Sequence, residues 1–71
     1  MEQNKIEMAF RHVTDARRIV ACQRERVEML ARKGHDTTSA ERTLDLFART
    51  LDIFEDDLRR ILGQDSKHNP F

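Results

Sequence analysis

The chain has no tryptophan or tyrosine, a single proline, two glycines and one cysteine among its 71 residues. Each scarcity removes an option. Cys22 has no partner for a disulfide within the chain, and the few Cys and His are too far apart in sequence for a structural zinc, so neither staples the fold. No apolar run approaches the roughly 18 residues needed to span a bilayer, and the start Met1-Glu2-Gln3-Asn4-Lys5 lacks the apolar core of a signal peptide. The expectation is a cytoplasmic protein with no membrane contact and no cofactor. Net charge is absent too, since 13 basic and 13 acidic residues cancel, which argues against a polyanion as the main partner. The halves nevertheless differ. Residues 1–33 hold eight Lys/Arg and five Asp/Glu, giving +3, whereas residues 34–71 hold five and eight, giving −3. Arms of opposite sign attract when folded against each other.

What is present is helix. Charged residues make up 37% and hydrophobic ones 38%, a balance that suits long amphipathic helices in one small domain. From about 2 to 33 there is neither Gly nor Pro, and Ile6, Ala9, Val13, Ala16, Val20, Val27 and Leu30 recur at helical spacing, with Phe10 and Ala31 at the edge. Such a helix is roughly 45 Å long. Gln23 interrupts the stripe. Beside it runs a second, weaker stripe of Met8, Ile19, Cys22 and Met29.

Gly34 follows Arg32 and Lys33, basic residues that suit the negative end of a helix, and glycine readily takes the left-handed conformation that ends one. Asp36, Thr37 and Thr38 can each cap the next helix, and Thr38 with Glu41 has the spacing of a capping box. With a turn at 34–37, the second helix covers about 38–62, antiparallel to the first. Its stripe of Ala40, Leu44, Phe47, Leu51, Phe54, Leu58 and Ile61 alternates steps of four and three, as in a coiled coil. Phe47 and Phe54 oppose the small Ala9, Ala16 and Val20, so large fits against small. Leu46 and Ile53 form a flank outside this stripe. Gly63 is the expected stop, leaving 64–71 as a flexible tail whose Phe71 is free to dock on a neighbour. The pairs Glu7 with Arg11, Glu28 with Arg32, Asp45 with Arg49, Glu55 with Arg59 and Asp56 with Arg60 are set four residues apart for helix-surface ion pairs.

Catalytic constellations are absent. His12 on one arm of an antiparallel hairpin resembles the phosphoaccepting histidine of histidine kinase dimerisation and phosphotransfer domains, but Val13 follows it where those kinase hairpins carry an acid. Cys22 in mid-helix lacks a base to activate its thiol. His35 beside Asp36 has no cleft to serve and reads as a turn residue. His12, His35 and His68 lie too far apart along a hairpin to share a metal. Arg11, Arg18, Arg32 and Lys33 share an outward side of the first helix, but Glu7, Glu25 and Glu28 intersperse them and no aromatic platform accompanies them, so nucleic acid is not the expected partner.

The corner Gly34-His35-Asp36-Thr37-Thr38 with Ala40, Leu44 and Phe47, and with His12-Val13, Arg18, Gln23, Val27 and Leu30 upstream, resembles a set of short uncharacterised helical-hairpin proteins from alphaproteobacteria. In these a similar GHDTT-x-A corner joins two amphipathic helices. The likeness spans about residues 12–61. It implies a bacterial origin and supplies no activity.

The expectation is therefore an all-α antiparallel two-helix hairpin, coiled-coil-like, that dimerises into a four-helix bundle through Met8, Ile19, Met29, Leu46 and Ile53. Its expected role is a non-enzymatic protein-interaction or oligomerisation module, regulatory in character, whose partner is a second copy or an unidentified protein. The alternative is a signalling hairpin with His12 as phosphoacceptor.

Overall fold

The computed structural model describes residues 2–67, with side chains over 4–63. It is all-helical. Helix α1 runs Glu2–Arg32 and helix α2 runs Thr38–Lys67. They fold back on each other as an antiparallel hairpin, a rod of 57 × 16 × 15 Å.

The seam uses the residues that the periodicity picks out. Ala9, Val13, Ala16 and Val20 of α1 and Ala40 of α2 are buried. Leu44, Phe47, Leu51, Phe54, Leu58 and Ile61 of α2 are only half-buried, as are Ile6, Val27 and Leu30. The asymmetry follows from size. Small α1 side chains are covered by large α2 side chains, whose far edges project past a partner helix too narrow to enclose them. Gln23 is half-buried in the same stripe and strands no polar atom.

At the corner the backbone closes α1 with two reversed hydrogen bonds. The Gly34 amide donates to the Ala31 carbonyl (3.0 Å) and the His35 amide to the Leu30 carbonyl (2.9 Å), the Schellman arrangement, with Gly34 left-handed at φ 76°. His35 thus serves the corner through its main chain. Helix α2 opens with the Glu41 amide on the Thr37 carbonyl (2.8 Å), which makes Thr37 the residue at the cap. The expected Thr38–Glu41 box is replaced. The Asp36 carboxylate accepts from the Thr38 amide (3.0 Å) and the Thr38 hydroxyl (2.7 Å), while the Thr37 hydroxyl donates to Glu41 (2.6 Å). Asp36 reaches two donors at once, so it takes Thr38 away from Glu41.

Those two bonds, the amide first and the hydroxyl second, hold the Asp36 carboxyl below the ordinary 3.8 of an aspartate. A depressed carboxyl stabilises the fold above its unfolded value and loses that contribution as pH falls through its folded value. Asp36→Ala is therefore expected to melt below the parent protein at neutral pH, with the gap closing in thermal scans taken below about pH 4.

The second helix does not stop at Gly63 but continues to Lys67. One glycine inside a helix costs about 1 kcal/mol against alanine, and packing of the preceding turns on α1 outweighs it. The proposed tail is thus helical to 67, and Phe71 docking lies outside the described residues. A Cβ at either glycine would meet nothing within 4 Å. Gly63→Ala is consequently expected to stabilise by about 0.5–1 kcal/mol. Gly34→Ala is expected to destabilise by about 1 kcal/mol, because its left-handed backbone penalises any Cβ. Urea melts at one protein concentration read both signs.

Candidate protein interaction face

Two contacts across the seam fix the register and identify the two faces of the hairpin. Arg17 donates to Glu55 at 3.0 Å on one face. On the other, the His12 ring lies against Phe54 with centroids 5.1 Å apart and planes at 33°. The first face also carries an open groove of about 260 Å³ lined by Val13, Arg17, Glu55, Leu58, Arg59 and Leu62, with Phe10 exposed nearby on the wheel of α1. Side chains three and four residues apart share a helix side, so the His12 face also holds Met8 and Ile19 of α1. Because α2 runs the other way, its Thr50, Leu46 and Ile53 fall on that same side.

All five residues expected to form an interface are exposed. Ile53 is 65% exposed and Leu46 63%, with Met8, Met29 and Ile19 at 55%, 46% and 38%. Cys22 is exposed beside them. Phe10 and Leu62 are exposed apolar residues that the seam pattern does not place in this set, and both belong to the Arg17–Glu55 face. Leu62 sits at the end of the α2 stripe, where the periodicity already drifts off the seam.

Several ion pairs differ from the expected spacing of four. Asp45 and Arg49 pair at 2.9 Å as expected. Glu55 turns instead to Arg17 across the seam, which leaves Arg59 to Asp56 (3.5 Å) and Arg60 to Asp57 (3.6 Å). Among the described residues, Glu7–Arg11 and Glu28–Arg32 do not come within pairing distance. These are exposed pairs, each worth a few tenths of a kcal/mol at most, so solvation competes evenly with them.

His12 is solvent-exposed and held by its contact with Phe54. His35 is exposed at the corner, well away from it. No three His, Cys, Asp or Glu side chains converge as metal ligands among the described residues. Among the described residues, no helix is long and apolar enough to cross a membrane. No family model, curated protein or solved structure matches the chain.

Proposed function

We propose that the protein is a non-enzymatic self-association module, in which two hairpins pair through the His12 face into a four-helix bundle. The observation that carries this reading is the exposure of Met8, Ile19, Met29, Leu46 and Ile53, four of which (Met8, Ile19, Leu46 and Ile53) helical spacing sets on the side of the His12–Phe54 contact, on a hairpin whose own seam buries only small side chains. Surface area points the same way. The chain exposes 5941 Å², whereas a compact monomer of 8.4 kDa exposes about 4600 Å². Part of the excess belongs to the rod shape, with a radius of gyration of 16.5 Å against about 11 Å for a compact chain of this length. The excess, rod shape included, is about 1300 Å², against the roughly 800 Å² that each partner contributes to a standard interface. A second hairpin also supplies what Phe47 and Phe54 lack, a third wall over their projecting edges.

Sedimentation equilibrium at micromolar concentration is expected to return twice the chain mass. A folded monomer there would transfer the face to an unidentified protein partner and end the self-association reading.

A further inference from the structure

Resting on that self-association reading, we infer that the two hairpins dock head to tail, with corners at opposite ends and a two-fold axis crossing the face between Ile19 and Cys22. The stripe beside the α1 seam advances by fours and threes through His12, Asp15, Ile19, Cys22, Arg26 and Met29. Turned end for end about its middle, it meets itself in complementary pairs. Ile19 falls against the partner's Cys22, Asp15 against the partner's Arg26 and His12 against the partner's Met29. The α2 stripe behaves alike about Arg49 and Thr50, where Leu46 falls against the partner's Ile53 and, half a residue out of register, Thr43 against the partner's Asp57. Counting along both helices from the Arg17–Glu55 and His12–Phe54 contacts places Thr50 alongside residues 16–22, so one axis serves both stripes. The charged pair is available. Arg26 is exposed and joins no ion pair among the described residues, and Asp15 meets only Arg18, at 4.0 Å.

The competing arrangement sets the corners together and lays α1 over the partner's α2. The +3 and −3 totals of the two halves favour it. Most of those charges point to solvent, however, and are screened beyond about 8 Å at physiological ionic strength. The groups that would touch decide, and there Asp15 would lie alongside the partner's residues 51–57, whose members on this face are Ile53 and Asp57, so that it meets an acid and no base.

Charge reversal tests the choice, with dimer dissociation constants from sedimentation equilibrium and helicity checked by circular dichroism. Asp15→Arg and Arg26→Asp are each expected to weaken the dimer about tenfold or more, and the double variant to return within about threefold of the parent. Tighter association of Asp15→Arg, or no recovery in the double variant, would overturn the head-to-tail arrangement while leaving self-association standing. A parent protein monomeric throughout would remove both.

Discussion

Replacing Leu46 and Ile53 together by glutamate is expected to yield a monomer whose melting temperature lies roughly 10–20 °C below that of the parent. Both side chains are almost two-thirds exposed in the single hairpin, so the substitutions break no contact of the seam. In a monomeric protein they would change stability by about 0.5 kcal/mol or less. In a paired hairpin they place four carboxylates in an apolar interface without partners, and each uncompensated charge costs several kcal/mol. Burying Met8, Ile19, Met29, Leu46 and Ile53 contributes of order 7 kcal/mol per chain before association entropy, an upper figure. That surplus cannot absorb the penalty, so the dimer dissociates. The stability lost is the mass-action share, about 3 kcal/mol at a concentration a hundredfold above the dissociation constant. The diagnostic is concentration dependence: the melting temperature of the parent rises with protein concentration, and that of the variant stays flat. A variant with unchanged mass and melting temperature would place the interface elsewhere.

The second large effect belongs to the seam. Val20→Asp is expected to abolish cooperative melting at neutral pH, read as loss of far-ultraviolet circular dichroism at room temperature. Val20 is 3% exposed in mid-helix, under the half-buried large residues of α2, and the seam holds few polar atoms to receive a carboxylate. A buried unpaired charge costs more than the 3–5 kcal/mol that a core in so short a chain supplies. Val20→Ala separates charge from volume. It is expected to cost about 1–2 kcal/mol and to keep a cooperative transition, since it leaves a small cavity in a seam already open at its rim. An aspartate variant that melts like the alanine variant would mean that water reaches the seam.

These two predictions rest on features of different legibility. Val20 belongs to a stripe whose period is written in the residues themselves, and every seam position named from spacing is buried or half-buried in the structure except the edge residues Phe10 and Ala31, which are exposed. The glycine at the corner was equally readable, because only one residue type takes a left-handed backbone freely. The cap was less so. Asp36, Thr37 and Thr38 all carry an oxygen that can accept or donate, and their competition is settled by ångström-scale reach, which no residue spacing encodes. Gly63 failed as a stop because propensity is a weak local preference that packing overrides. Glu55 failed as a partner for Arg59 because an arginine of the other helix was nearer, and only folding brings Arg17 there.

The sequence by itself therefore determined two amphipathic helices, the corner between them and the residues of the seam, since each depends on periods of three and four or on one backbone conformation. It also marked Met8, Ile19, Met29, Leu46 and Ile53 as apolar residues outside that seam. Whether those residues lay scattered around the rod or gathered on one side was a tertiary matter. An antiparallel return reverses the sense in which the second helix winds past the first, and the contacts of Arg17 with Glu55 and of His12 with Phe54 set which flank of α2 lies beside which flank of α1. That register sets Leu46 and Ile53 of α2 on the same side of the rod as Met8 and Ile19 of α1, with polar residues among them.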